Sequence, residues 1–416
     1  MIGYHIQRGT VKKLRNPLIL LILFSMIITC IDPFNPDLKG ITSILIVDAL
    51  LTNENRSYTV EISRTSQTQN TNPEMVSWAE VSIKDNTGLS ANLRETAAGI
   101  YQTDSLQIRG EAGNSYTLYI KTFEGTEYES DPCIMYPVQP IDSIYYAKDQ
   151  EFSNNGSEVL DGIRVFLDSE NSGDGKYLRW HYSEWWEFSV PQPKKFDYIN
   201  EDDIRPVDQI KQVCWGQNGS DAITIKSTVS AQSNRIVKEP ILFIASDKSD
   251  RLLIQYCVEV KQLSLSKTEF EFWDQMQQIN EVGDDIFQKQ PFSIVSNIHN
   301  KSIPDETVLG YFQVSAVEQK RIYITPDAIA GLDLPEYQYD CDRVEVGPND
   351  YPGTMTFDNI YDSYTSSSYT FIEPIYDMRW NLQKLVFTKP PCANCTMTGS
   401  LTKPDFWIDI EPPAKK

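Results

Sequence analysis

The chain has 416 residues, with 37 basic and 58 acidic side chains and a formal net charge of −21. That length allows two domains. Such an acidic balance repels nucleic acid and excludes it as a partner.

Residues 1–15 carry Arg8, Lys12, Lys13 and Arg15 and no acid, residues 16–29 are almost wholly apolar, and Cys30 follows directly. A basic stretch followed by a short apolar run reads as an export signal over residues 1–29. The run is shorter than the roughly 20 residues of a transmembrane helix. The cysteine after it is expected to take lipid, with everything before it removed. Ile27-Ile28-Thr29 departs from the small residues usual before such a cysteine. Residues 30–39, with Pro33 and Pro36, read as an extended tether. Asp32 and Asp37 resemble the surface-export signal of some Gram-negative lipoproteins; the periplasmic face is the alternative. Removing the signal leaves 33 bases against 58 acids, a net charge of −25.

Residues 40–137 alternate with period two, as half-buried strands do. Tyr58, Val60 and Ile62 form one such set. Ala79, Val81 and Ile83 form another, running into the turn Asp85-Asn86-Thr87-Gly88. Tyr116, Leu118 and Ile120 form a third, and Ile44 to Leu51 reads as a fuller buried strand. Short strands separated by turn signals predict an immunoglobulin-like β-sandwich. Tyr136-Pro137-Val138-Gln139-Pro140 reads as a linker. Residues 138–416 then form a larger β-rich domain, with strands expected at 163–167, 177–182, 223–225, 252–263 and 321–324. One helix interrupts them. Ser266 and Glu269 make a capping box, and Phe272, Trp273, Met276 and Ile279 share one face. The fold class is all-β, with one covering helix on the second domain.

Seven cysteines occur. If Cys30 carries lipid, Cys133, Cys214, Cys257, Cys341, Cys392 and Cys395 are left as disulfide candidates. Their pairing is not readable from sequence. Cys392-Ala393-Asn394-Cys395 is a CxxC, read as a structural disulfide in a closing loop. A structural zinc site would want four ligands. No metal site or cofactor is expected.

Chemistry is sparse. Beyond the signal only His181 and His299 occur, and no GxSxG nucleophile motif accompanies them. Asp168, Glu170, Asn171 and Asp174 crowd one loop but miss the calcium-loop pattern. Glu201-Asp202-Asp203 and Asp284-Asp285 also read as solvated acids. Paired carboxylates for glycoside cleavage stay open, because an acidic chain supplies many pairs and no motif selects one. The remaining binding signal is aromatic. Tyr182, Trp185 and Trp186 fall in His181–Ser189 and would suit sugar rings or a partner protein. Adjacent Trp185 and Trp186 on a strand face opposite sides.

Several stretches together resemble a known family. They are Cys30-Ile31-Asp32-Pro33-Phe34, Tyr58 to Thr65, Gly99-Ile100-Tyr101 and Pro137 to Tyr145. Cys214-Trp215, Leu263 to Ser266 with Phe272-Trp273, Gln290-Pro291-Phe292 and Asn297-Ile298 follow. Val308 to Phe312, Cys392–Cys395 and Lys403 to Trp407 complete the series. Their order is similar to that of the outer-membrane lipoproteins grouped as domain-of-unknown-function family 4249. The resemblance implies a non-enzymatic accessory or substrate-capture partner of a TonB-dependent transporter of the starch-utilisation type. It supplies no catalytic residues. Gly347–Tyr351 and Ser366–Ser368 match no family motif, and Cys133 is an addition to the pattern. The alternatives are a stand-alone surface module binding glycan or peptide, and a carboxylate-dependent hydrolase.

Overall fold

A strand whose every second side chain is apolar can bury one face and wet the other. The computed structural model describes residues 43–410, apart from 67–71, 105–106, 154–155, 171–174, 221, 230–234, 283–295, 336 and 354. In it Tyr58, Val60 and Ile62 are buried, while Thr59 and Glu61 face outward. Val81 and Ile83 do the same in Glu80–Asp85, as do Tyr116, Leu118 and Ile120 in the paired strand Ser115–Lys121. The expected signal, Cys30 and its tether lie outside the described residues, as do Asn171, Asp174, Asp284 and Asp285.

The strand Ser90–Ala97 joins two layers. Its first half pairs with Glu80–Asp85 and its second half with Ile100–Gln102. Inward side chains of both layers fill one core that includes Leu45, Val47, Tyr101 and Tyr128. The all-β class is as the alternation predicts. Among the described residues, no helix is long and apolar enough to cross a membrane.

Two later strands complete this sandwich. Ile298–Asn300 pairs antiparallel with Glu127–Ser130, and Val308–Ser315 pairs parallel with Leu45–Thr52. The parallel pair is very close at Gly310. There φ is +88°, and an added Cβ would stand 1.9 Å from the Val47 carbonyl oxygen, so glycine is required. Asn297 extends the ladder with its side chain. Its amide nitrogen donates to Phe312 O and its oxygen accepts from Phe312 N, each at 2.9 Å. The segment expected as a linker is also tied down. Ser264 Oγ donates to Tyr136 O at 2.6 Å, and Gln262 Nε2 donates to Gln139 O at 2.9 Å.

Downstream, Ile141–Phe152, Val159–Glu170 and Arg235–Ala245 form a three-stranded antiparallel sheet. A second sheet runs in the order Val213–Gly219, Tyr177–Ser189, Gln255–Leu265, Val317–Ile324, with Thr224–Ser227 also on Tyr177–Ser189. Ile163, Val165, Leu178, Trp180, Val258 and Val260 meet in their shared core. Gln255–Leu265 is buried along nearly its whole length. Asp168, expected in a solvated loop, lies in the strand Val159–Glu170 and accepts from Lys238 N at 2.7 Å.

The expected helix spans Lys267–Val282, with Ser266 Oγ accepting from Glu269 N at 3.1 Å. A second helix, Phe357–Ser366, was not foreseen; Thr356 Oγ caps it by accepting from Asn359 N at 3.2 Å. Its Ile360 is buried in a small aromatic core with Tyr198, Phe371 and Phe387, against the sheet Val344–Val346, Leu382–Thr388, Thr370–Tyr376. A single turn of helix, Pro390–Ala393, follows.

The six disulfide candidates divide. Cys214 bonds Cys395, and Cys341 bonds Cys392. The two CxxC cysteines therefore do not bond each other. Each ties the C-terminal loop to a different distant segment. Cys133 and Cys257 are free, which corrects their place among the candidates. Cys257 is buried on the central strand beside Tyr323, and Cys133 takes a hydrogen bond from Asn297 Nδ2 at 3.1 Å instead of a second sulfur.

Candidate functional site

The aromatic candidates sit on the strand Tyr177–Ser189. Alternation sends Trp185 and Trp186 to opposite faces, and both faces are covered. Trp185 meets Phe406 edge-on at 4.6 Å between centroids, and Arg321 lies 3.8 Å over the Phe406 ring. Trp186 lies across Gly216, where an added Cβ would fall 2.3 Å from the indole. Tyr182 packs against the shared core. All three are half-buried, so they form no open platform for a ligand.

Between them Glu184 is fully buried and collects three donors. Tyr256 OH donates at 2.5 Å, Arg251 Nη1 at 2.7 Å and Asn218 Nδ2 at 3.1 Å. Burial, reinforced by the Glu184 charge, holds the Tyr256 hydroxyl well above its ordinary range, so it stays a donor. This arrangement satisfies a buried charge within the sheet.

Sequence reasoning did not find the second buried acid network. Glu269, in the first turn of the long helix, is buried, and burial raises its carboxyl to about 8 against the pull of Arg179. Arg179 donates to Gln313 Oε1 at 3.2 Å and lies 3.2 Å over the Trp273 ring. Burial lowers its guanidinium to about 10. The cluster joins strand, helix and N-terminal sandwich.

His181 is pushed down to about 4 by burial, then by the charges of Arg179 and Lys261. Ser220 Oγ is 3.5 Å from its Nδ1. Cationic neighbours oppose the imidazolium that a general base must form, the reverse of a catalytic triad. His299 is exposed and lies 3.3 Å from Asp131. Acids do converge in one open cleft of about 540 Å³, where Glu187, Asp327 and Asp409 line the wall. Burial, then the Asp409 charge, raises the Glu187 carboxyl, while Lys403 bonds Asp409 at 2.6 Å. Among the described residues no group of His, Cys, Asp or Glu is arranged to hold a metal ion.

The most open chemistry is at a hairpin tip. The strands Thr370–Tyr376 and Leu382–Thr388 are joined by Asp377-Met378-Arg379-Trp380-Asn381. Asp377 builds the turn. Its Oδ1 accepts from Arg379 N and Asn381 N, each at 2.8 Å, and its Oδ2 accepts from the Asn381 amide at 2.9 Å. These donors, the Asn381 side chain first, hold the Asp377 carboxyl below its ordinary range. Trp380 N donates back to Asp377 O at 3.0 Å, with Trp380 at φ +62°. The fixed turn leaves Met378 102% and Trp380 82% exposed, with Arg379 between them and Tyr376 6.1 Å from the indole. Fully burying a large apolar side chain such as Met is worth about 1.5–3 kcal/mol. Displaying both Met378 and Trp380 on a rigid turn forgoes that gain.

Residues 31–321 match the family model described as Domain of unknown function (DUF4249). No curated protein matches the chain.

Proposed function

We propose that this chain, which belongs to the family of domain of unknown function 4249, is a non-enzymatic outer-membrane lipoprotein. It is anchored through Cys30 and acts as accessory or substrate-capture partner of a TonB-dependent transporter. The observation that carries a protein-docking role is the hairpin tip. Trp, Met and Arg are the residue types enriched at interfaces, and a pre-formed turn presents all three without a backbone ordering cost. The anchor rests on the N-terminal sequence, and the transporter on the resemblance.

The test is purification of the native, tagged protein from outer membrane in a gentle detergent. A large barrel protein should co-purify. The double variant Met378→Ala, Trp380→Asn should weaken that association more than about tenfold, as loss of an interface hot spot does. Asn is chosen because it accepts a positive φ. Recovery of the wild-type protein alone under the same conditions defeats the proposal. A hydrolase reading has one observation in its favour, the raised Glu187 carboxyl beside Asp409 in an open cleft. It requires Glu187→Gln to abolish a hydrolytic activity that wild type shows on glycan or peptide.

A further inference from the structure

Three exposed apolar tips share one end of the N-terminal sandwich. Trp78 is 78% exposed just before the strand Glu80–Asp85, and Phe123 is 78% exposed just after Ser115–Lys121. Glu80 pairs with Lys121, so both tips leave the same end of neighbouring strands. Ile303, 58% exposed, sits in the turn between Ile298–Asn300 and Val308–Ser315. That turn also lies at this end, because Asn300 pairs with Tyr128 and Val308 with Leu45. The same register brings the chain into the sandwich here, at Ile44 and Leu45.

The tips are held on stiff turns. Trp78 has φ +62°, and its N–H donates to Glu95 at 2.9 Å. Phe123 lies in a turn closed by Thr122 N to Thr126 O and Gly125 N to Thr122 O, both at 2.9 Å. Ile303 N donates to Asn300 Oδ1 at 3.0 Å. The opposite end of the sandwich is already occupied. There Lys261 bonds Glu54 and Val317 N donates to Asn53, at 2.6 and 2.7 Å.

We infer that this end of the sandwich rests on the lipid bilayer, with Trp78, Phe123 and Ile303 dipping into a neutral lipid interface. The inference rests on the lipid anchor at Cys30. Thirteen residues lie between Cys30 and Ile44, a reach of about 45–50 Å at full extension. A lipid at Cys30 therefore keeps this end within that distance of the membrane, and even weak contacts fill at such an effective concentration. Indole and phenyl rings favour the interface. Glu74, Glu80, Glu124, Glu127 and Asp305 against Arg64, Lys121 and Lys301, the last bonded to Glu127, leave the rim acidic, so the fitting surface is zwitterionic and not anionic.

The test uses native lipidated protein reconstituted in phosphatidylcholine vesicles, with and without brominated acyl chains. Wild type should float with the vesicles and show bromine quenching of tryptophan fluorescence. Trp78→Asn, which suits the positive φ, should keep flotation and circular dichroism and lose most of that quenching. Phe123→Ser, with Trp78 intact, should reduce it. Substituting phosphatidylglycerol should also reduce it. Quenching that survives unchanged in Trp78→Asn overturns the inference. Flotation without any quenching also overturns it, keeps the anchor and leaves the tips to a protein partner. Failure to float overturns both the inference and the anchor.

Discussion

Replacing Tyr256 by Phe removes one of three donors from the buried carboxylate of Glu184 and changes almost nothing else. The lost bond is short, 2.5 Å, and its acceptor is charged. Hydrogen bonds to charged groups contribute about 1.5–3 kcal/mol, so Tyr256→Phe should cost about that much. Arg251 at 2.7 Å and Asn218 at 3.1 Å remain to hold the carboxylate. Glu184→Ala is harsher. It strands a buried tyrosine hydroxyl and a half-covered guanidinium, and breaking a buried pair from one side costs about 3–5 kcal/mol. In the double variant the hydroxyl is no longer stranded. Its cost should fall short of the sum of the single variants by about 1–3 kcal/mol. Urea unfolding read by far-ultraviolet circular dichroism measures this, with midpoints compared at unchanged slope. A Tyr256→Phe loss under about 0.5 kcal/mol, or single-variant costs that simply add, would refute the reasoning.

Two further outcomes follow from the buried ionisable groups and the cysteines. The folded chain raises the Glu269 carboxyl from 4.5 to about 8. In that window the folded state binds the extra proton, so stability is complete below pH 4.5 and declines as pH rises through 8. The slope is at most about 1.4 kcal/mol per pH unit. Glu269→Gln should flatten stability against pH between 5 and 8, and an unaltered slope would show that another group is responsible. The cysteine pattern predicts two titratable thiols, Cys133 and Cys257, when lipidated protein is unfolded without reductant. Cys395→Ser should add Cys214 to that count and cost about 2–5 kcal/mol in stability. Four free thiols in unfolded wild type would contradict the bonding.

The parts of this fold with a local signal could be read from sequence. Period two in Tyr58–Ile62 and Tyr116–Ile120 announced the sandwich, and Ser266 with Glu269 announced the long helix. The strand Val308–Ser315 announced nothing, because its partner Leu45–Thr52 lies far away in the chain and parallel pairing leaves no turn signature. Phe357–Ser366 does carry a helical signal in Phe357, Ile360, Tyr361 and Tyr364 behind Thr356. Its serines and threonines masked that signal. Trp185 and Trp186 were visible as a cluster, but alternation alone left open whether both faces of their strand are covered. Conversely, Asp377 and Asn381 bracket Met378 and Trp380 at turn spacing, a legible arrangement outweighed by the denser aromatic run upstream. The disulfide map depended on tertiary placement alone.

The parallel edge at Gly310 also bears on how the chain folds in time. The first strand, Leu45–Thr52, waits for a neighbour that begins only at Val308. Until then one side of it offers unpaired amides and carbonyls, the kind of edge on which chains aggregate. Contacts this distant in sequence close slowly. Residues 40–137 are therefore an incomplete folding unit. In chain order the sandwich stays open along one edge across most of the described residues, and its closing strand comes only after the central strand Gln255–Leu265 and the long helix. The first described strand is sealed only by a partner more than 250 residues further along the chain.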